Sequence, residues 1–126
     1  MTHKPKILVV DDDQPILALM RSLLREFQFE PLTASSGAEA LEIARRDVPD
    51  LILLDISMPN MSGEEAIRAF RCDPTLAHVP IVIVSGHTIS PSEIARLGAD
   101  GAIQKPFDVP DLVRDIRERL KVKLSS

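Results

Sequence analysis

The sequence is poor in cysteine and in aromatic residues: its 126 residues include one cysteine, four phenylalanines, no tyrosine and no tryptophan. The single cysteine, Cys72, excludes an intrachain disulfide and favours a reducing compartment, and a lone cysteine outside any motif is usually an ordinary half-buried side chain. The opening "MTHKPK" leads into only four apolar residues, too few for a signal-peptide core or a membrane span. We therefore expect a cytoplasmic protein with no membrane segment.

Positive charge is also sparse. The chain carries 15 lysines and arginines against 19 aspartates and glutamates, for a net charge of −4, and no Lys/Arg stripe interleaves with aromatic residues. Direct binding to nucleic acid is therefore not expected, and an output through DNA would need another domain. With 44% hydrophobic and 27% charged residues and no low-complexity segment, the composition predicts one globular domain.

Apolar runs alternate with segments of helical periodicity along the chain. Five runs predict strands, namely "KILVV" (6–10), "EPLTA" (30–34), "LILLD" (51–55), "IVIVS" (81–85) and "GAIQK" (101–105). Helix starts are marked by Asp13 and by capping boxes at Ser36/Glu39, Ser62/Glu65 and Ser90/Glu93. Runs one, three and four are nearly continuous in Leu, Ile and Val, as in strands that helices cover on both faces. The sequence therefore predicts an α/β fold of five βα units, (βα)5, in a doubly wound parallel sheet.

Polar side chains gather where the predicted strands end, which in open parallel sheets is where ligands bind. They are Asp11, Asp12 and Asp13 after the first strand, Asp55 and Ser85 at the ends of the third and fourth, and Lys105 at the end of the fifth. If strands one and three are neighbours, the first acids face Asp55, and like carboxylates in one site either raise a pKa or recruit a cation. With carboxylate and backbone oxygens as ligands, a hard divalent ion such as Mg²⁺ is expected. Asp13 is predicted to cap the first helix instead.

The same residues suit phosphoryl transfer. An aspartate can become an aspartyl phosphate, and the transfer depends mainly on neutralising the charge of the phosphoryl oxygens. In this cluster Lys105 and Mg²⁺ would supply positive charge, and the Ser85 hydroxyl would add a hydrogen bond.

Four motifs, "ILVVDDD", "DLILLDISMPNMSG", "IVIVSG" and "KPF", stand at a joint spacing that resembles the receiver (REC) domain of two-component response regulators. The chain is similar to the bacterial chemotaxis response regulator, and the resemblance covers about residues 5–121. It implies a flavodoxin-like five-stranded sheet in the order 2-1-3-4-5. It also implies a cis peptide bond between Lys105 and Pro106.

The resemblance further implies a role for each site residue. Asp55 accepts a phosphoryl group from a phosphohistidine donor, and Ser85 and Lys105 hold the phosphoryl oxygens. The protein ligands of Mg²⁺ are then Asp12 directly, Asp11 mainly through a metal-bound water, Asp55, and the backbone carbonyl of Ser57.

On this resemblance, the chain is a phosphorylation-activated signalling switch and not a metabolic enzyme, and its only reactions are self-catalysed phosphotransfer and autodephosphorylation. Residues 1–126 are expected to form one receiver domain (core about 5–121) without an output domain. Both a stand-alone regulator and one domain of a larger protein agree with this sequence.

The resemblance implies a sensor histidine kinase or a histidine phosphotransfer protein as the donor, while the downstream effector is not identified by the sequence. Partners are expected at the face made by the fourth helix, fifth strand and fifth helix, in a monomer or a weak homodimer. The side chains expected to line that face are those of Arg96, Asp100, Arg114 and Arg117.

One position departs from the family pattern. Many receivers carry Tyr or Phe three residues before the conserved lysine, where this chain has Ala102, so the aromatic form of the switch cannot operate. We expect activation to be graded, or to be completed by a partner. His87, at the rim of the site, either tunes water access to the phosphoryl group or is a solvated loop residue, the more usual case. Pro59, Asn60 and Gly63 are expected to shape the loop after Asp55.

Two other functions are compatible with parts of the pattern. A receiver-like scaffold acts without phosphorylation, but such proteins usually lack one of the site residues, and none is missing here. A Mg²⁺-dependent phosphohydrolase of the haloacid dehalogenase type also forms an aspartyl phosphate, but it carries a second acid two residues after the nucleophile, where this chain has Ser57. Mg²⁺-dependent labelling of Asp55 distinguishes these functions.

Overall fold

Strands and helices alternate along the part of the chain that is described. The computed structural model describes residues 4–57 and 62–125. Its elements are β1 (Lys6–Val10), α1 (Gln14–Glu26), β2 (Glu30–Ala34), α2 (Gly37–Arg46), β3 (Leu51–Asp55), α3 (Gly63–Cys72), β4 (Ile81–Ser85), α4 (Pro91–Leu97), β5 (Gly101–Gln104) and α5 (Val109–Ser125). Of the residues expected to shape the loop after β3, Pro59 and Asn60 lie outside the described residues, and Gly63 is the first residue of α3.

The strands form one parallel sheet in the order β2-β1-β3-β4-β5. This confirms the predicted α/β class and the order implied by the resemblance. The predicted fifth strand is one residue too long. Lys105 still donates its N–H to Ser85 O at 2.7 Å, but Pro106 has no N–H to continue the pairing. The Lys105–Pro106 bond is cis, as expected.

Most helices begin at the predicted capping residues. Asp13 Oδ1 accepts the N–H of Ile16 at 3.3 Å. The three serine caps each accept the N–H three residues later, at 3.1 Å for Ser36 and Glu39, 3.3 Å for Ser62 and Glu65, and 3.2 Å for Ser90 and Glu93. These side chains satisfy backbone groups that the first helical turn leaves unpaired. They determine where each loop at the carboxyl edge of the sheet passes into its helix.

Helices cover both faces of the sheet, since successive strand residues point to opposite sides. On one face, the buried helix residues include Ala40, Ala44, Ile67 and Phe70 of α2 and α3. On the other face, they include Leu17, Met20 and Leu24 of α1 and Leu112, Val113, Ile116 and Leu120 of α5. Within residues 4–57 and 62–125, no helix combines the length and the apolar character needed to cross a membrane.

Helix α3 corrects one expectation. Its buried side carries Ala66, Ile67 and Phe70. Cys72, the last residue of the helix, lies away from that side and is exposed. The prediction that this cysteine is half-buried is therefore wrong.

Candidate functional site

The carboxyl ends of β1 and β3 meet at the centre of one edge of the sheet. Val10 pairs with Leu54, so the residues at the next register position, Asp11 and Asp55, are neighbours across the two strands. The backbone hydrogen bonds of the sheet continue at this level: the Asp11 N–H donates to a carbonyl oxygen of β2 at 3.0 Å, and the Ile56 N–H donates to a carbonyl oxygen of β4 at 3.2 Å. Each aspartate is only 5% exposed. The fold thus brings two buried carboxylates together, as the sequence predicted.

Lys105 reaches from the end of β5 to both acids. Its Nζ lies 2.9 Å from Asp55 Oδ2 and 3.9 Å from Asp11 Oδ2. Backbone amides hold the other carboxylate oxygens: the Ser57 N–H donates to Asp55 Oδ1 at 2.8 Å, and the Asp13 N–H donates to Asp11 Oδ1 at 2.9 Å. One ammonium faces two carboxylates, which leaves an excess of negative charge when both are ionised.

The two carboxyl groups differ in pKa because their partners differ. Burial has the largest effect on the pKa of Asp11 and raises it, and the neighbouring Asp55 carboxylate raises it further. The Asp13 N–H and Lys105 lower this pKa, but they do not cancel the rise. Burial acts in the same direction on Asp55, but the Lys105 ammonium and the Ser57 N–H together outweigh it and hold the pKa of Asp55 below its ordinary value. Asp55 is therefore the acid that its surroundings keep ionised.

The floor of the site is apolar. A small cavity behind Asp11, Asp55 and Lys105 is lined by core side chains that include Met20, Leu53, Phe107 and Leu112. These side chains keep water from the inner side of the acids, which explains why burial weighs on both pKa values. The next residue along the chain, Asp12, is exposed, so the site passes from buried to solvated within one residue.

The donors at this edge suit a hard cation. Among the described side chains, no group of three or more His, Cys, Asp or Glu residues is arranged to hold a metal ion, and the acids that meet are Asp11 and Asp55. In proteins Mg²⁺ usually takes one or two carboxylates and keeps several waters. Two buried carboxylates with an excess of negative charge, next to the exposed Asp12, therefore fit Mg²⁺.

Ser85, the last residue of β4, is completely buried. Its Oγ accepts the backbone N–H of His87 at 3.1 Å, and the His87 ring Nδ1 lies 3.3 Å from the same oxygen. In the same loop, Thr88 Oγ1 donates to Gln104 Oε1 at 2.9 Å. His87 is exposed, as expected of a loop residue, but sequence reasoning missed its contact with Ser85. The Ser-X-His spacing signals this contact, since a serine before a tight turn accepts the N–H two residues later.

The structure does not leave all four predicted side chains available at the expected partner face of α4, β5 and α5. All four side chains are exposed, and Arg96 and Arg114 pair only loosely or locally, Arg96 with Glu64 at 3.8 Å and Arg114 with Asp111 of its own helix. Asp100 is used within the domain, because its Oδ2 pairs with Arg71 at 2.7 Å. The expectation for Arg117 is wrong, because its guanidinium lies 5.8 Å from the ring centroid of Phe29, toward the start of β2.

Comparison with known proteins agrees with this geometry. Residues 7–117 match the family model of the response regulator receiver domain. The polar-differentiation response regulator DivK of Brucella ovis is 34% identical over 116 residues, which cover 90% of this chain and 94% of the relative. The chemotaxis protein CheY4 of Vibrio cholerae is a similar solved structure, with 32% identity, a TM-score of 0.85, and coverage of 92% of this chain and 98% of that chain.

A further similar structure is the receiver domain of a sensor histidine kinase from Pseudomonas aeruginosa, which has a magnesium ion coordinated in its active-site cleft. It is 23% identical, with a TM-score of 0.84 and coverage of 94% of this chain and 99% of that chain, so this likeness shows the fold alone. The family model and the Brucella relative carry the assignment, since both span most of the chain. This chain belongs to the response regulator receiver domain family of two-component signalling.

Proposed function

We propose that the chain is a phosphorylation-activated switch in which Asp55 accepts a phosphoryl group from a phosphohistidine donor in the presence of Mg²⁺. The observation that carries the proposal is the contact of Lys105 Nζ with Asp55 Oδ2 at 2.9 Å. This contact helps to keep a buried carboxylate ionised, and the ionised form is the nucleophile. Lys105 is also within reach of a phosphoryl group bonded to Asp55, whose oxygens carry the negative charge after transfer.

The transfer exchanges one bond to phosphorus for another. An oxygen of Asp55 attacks the phosphorus of the donor, the P–N bond to the donor imidazole breaks, and the imidazole leaves with the electron pair and takes up a proton. Ser57 N–H and Lys105 each hold one oxygen of Asp55, so the carboxylate is oriented before the donor arrives. Lys105 and the Ser85 hydroxyl then hold the phosphoryl oxygens.

The side of Asp55 that faces β1 would hold the metal. We assign its protein ligands to Asp11, Asp12, Asp55 and the backbone carbonyl of Ser57. When bound, Mg²⁺ supplies positive charge to the phosphoryl oxygens. The excess negative charge beside Asp11 supports this assignment, as does the magnesium ion in the active-site cleft of the Pseudomonas receiver domain.

Receiver domains are signalling domains, so the reaction serves to change a binding surface and not to turn over a metabolite. For this chain we propose a cytoplasmic location and, as the donor, a sensor histidine kinase or a histidine phosphotransfer protein. We place the responding surface at α4, β5 and α5, where an effector or a second copy would bind. Residues 1–126 act as a single receiver domain in this proposal.

Intact mass measured after incubation with acetyl phosphate tests the proposal, with Mg²⁺ or with EDTA. The wild type should gain one phosphoryl mass only with Mg²⁺, and Asp55→Asn should gain none. Asp13→Asn is the matched control, because it changes an aspartate at the same edge while Asn caps a helix as well as Asp, and it should still be labelled. Labelling that persists in Asp55→Asn would contradict the assignment. No gain in any folded sample would favour the scaffold function.

A further inference from the structure

We infer that His87 is a positioning residue for Ser85: in the resting state its ring accepts the Ser85 hydroxyl, which a phosphoryl group on Asp55 must then take from it. The inference rests on the proposed function, because Ser85 acts in it as a donor to a phosphoryl oxygen. It concerns the regulation of that same site by a residue outside the set Asp11, Asp55 and Lys105.

The argument begins with the proton of the Ser85 hydroxyl. Ser85 is completely buried, and a buried O–H without an acceptor loses the free energy of its lost hydration. Its oxygen already accepts the His87 backbone N–H at 3.1 Å. Among the hydrogen bonds of the described residues, the other partner of this oxygen is His87 Nδ1 at 3.3 Å. Ser85 therefore donates to Nδ1, and the neutral ring carries its proton on Nε2.

A serine hydroxyl has one proton to donate, so while it donates to His87 it cannot donate to a group on Asp55. In the resting geometry the side-chain partner of Asp55 is Lys105, while the Ser85 hydroxyl is directed to His87. A phosphoryl oxygen is an anionic acceptor, and hydrogen bonds to ionised acceptors are stronger than those to neutral ones. The phosphoryl group therefore wins the hydroxyl, but its net gain is reduced by the bond to His87 that it replaces.

The exchange also links the acceptor to the loop between β4 and α4. His87 lies in that loop, which Thr88 ties to Gln104 near the end of β5. When Ser85 turns to the phosphoryl group, the His87 ring loses its partner and the loop loses one of its side-chain ties. This link needs no aromatic ring, which is consistent with a methyl group at Ala102.

A beryllofluoride titration in Mg²⁺, followed by amide NMR, tests the inference. His87→Ala removes the acceptor and frees the hydroxyl, so the affinity for beryllofluoride should rise roughly three- to tenfold, the range expected for one net hydrogen bond. His87→Asn places a carbonyl oxygen close to the position of Nδ1 and should return the affinity to within about twofold of the wild type.

Two further backgrounds separate this role from a general loosening of the loop. In Ser85→Ala there is no hydroxyl to release, so adding His87→Ala should not raise the affinity. Thr88→Val removes the neighbouring tie to Gln104 but leaves the Ser85 hydroxyl on His87, and it should not reproduce the gain. In the wild type, the ring-nitrogen chemical shifts should report an unprotonated, hydrogen-bonded Nδ1 that loses this bond when beryllofluoride is added.

The outcomes distinguish the inference from the function on which it rests. Equal effects of His87→Ala with and without the Ser85 hydroxyl, or a proton found on Nδ1 of the neutral ring, would overturn the inference and leave the proposed function in place. If the wild type fails to bind beryllofluoride while remaining folded, the proposed function fails, and the inference fails with it.

Discussion

Asp11 Oδ2 and Lys105 Nζ are 3.9 Å apart, which is too far for a hydrogen bond. Lys105 makes its hydrogen bond to Asp55 instead, at 2.9 Å. The buried charge of Asp11 therefore lies about one ångström farther from the Lys105 ammonium than that of Asp55 does. Burial raises the pKa of both acids, but at Asp55 the close Lys105 and the Ser57 N–H outweigh it, so the pKa of Asp11 is raised and that of Asp55 is lowered. This contrast leads to the first prediction.

Asp11→Asn should stabilise the metal-free protein at neutral pH. Because the folded-state pKa of Asp11 is raised, its ionisation opposes folding as the pH rises from the ordinary aspartate pKa through the folded-state value. The variant removes that charge, and Asn Oδ1 still accepts the Asp13 N–H. Urea denaturation in EDTA should show a higher free energy of unfolding for the variant at pH 7, with a difference that shrinks in acid.

Asp55→Asn is the control of opposite sign. The folded-state pKa of Asp55 is lowered, so its carboxylate contributes stability above the ordinary pKa and loses it as the pH falls through the folded-state value. This variant should be less stable than the wild type at pH 7, and the deficit should vanish in acid. If both variants changed the free energy of unfolding in the same direction, the unequal sharing of Lys105 between the two acids would be contradicted.

Mg²⁺ should raise the melting temperature of the wild type. A ligand that binds only the folded state stabilises it by roughly 2.7 kcal/mol when present at about 100 times its Kd. Asp11→Asn and Asp55→Asn should each lose most of this effect, while Asp13→Asn should keep it. Thermal unfolding in matched Mg²⁺ and EDTA buffers measures the difference. An undiminished rise in both site variants would place the ion elsewhere on the chain.

Arg71 ties the end of α3 to the segments that lead into β4 and β5. Its guanidinium donates to Gly98 O at 2.9 Å, Ala77 O at 2.9 Å, Val79 O at 2.8 Å and Asp100 Oδ2 at 2.7 Å. Arg71→Met should lower the free energy of unfolding by about 2–4 kcal/mol, because these acceptors lose their donor. Arg71→Lys should restore less than half of that loss, since one ammonium cannot match the planar fork.

Arg68 provides the matched control for Arg71 in urea denaturation. It lies on the same helix, and its exposed pair with Glu64 spans 3.2 Å. Arg68→Met should change the free energy of unfolding by less than about 0.5 kcal/mol. Similar losses for the two methionine variants would mean that the contacts of Arg71 do not carry the stability assigned to them.

Activation should be graded when no partner is present. Moving a two-state equilibrium from 1:99 to 99:1 takes about 5.5 kcal/mol, and one charge-assisted hydrogen bond contributes roughly 1.5–3 kcal/mol. With Ala102 in place of an aromatic ring, Ser85 and Lys105 must supply the free energy of the shift. The hydrogen bond to His87 reduces the net contribution of Ser85. At saturating beryllofluoride and Mg²⁺, amide NMR should show a mixture of two states. Complete conversion without a partner would refute this prediction.

Sequence patterns predicted the backbone of this domain well because each strand is a short apolar run bounded by polar residues. Every strand but β5 has its predicted bounds. Asp11, Asp55 and Lys105 meet because the carboxyl ends of parallel strands share one edge. The contacts of Arg71, Arg117 and Cys72 were beyond such reasoning, since they depend on which neighbour a long or terminal side chain meets after packing. Which of the two acids bonds to Lys105 likewise depends on a difference of about one ångström between two distances.

Strand β3 lies at the centre of the sheet, has a partner strand on each side, and is buried along its whole length. Asp55 is therefore anchored in a strand that is buried and paired on both sides, which leaves it little freedom to move. A chemical change there cannot be relayed by displacing the strand that carries it, so it must be relayed by side chains that rotate nearby and by the loops that hold them. In the proposed function, the domain thus separates a stationary acceptor, Asp55, from the movable loops around it, and substitutions in those loops can change the response while the acceptor stays the same.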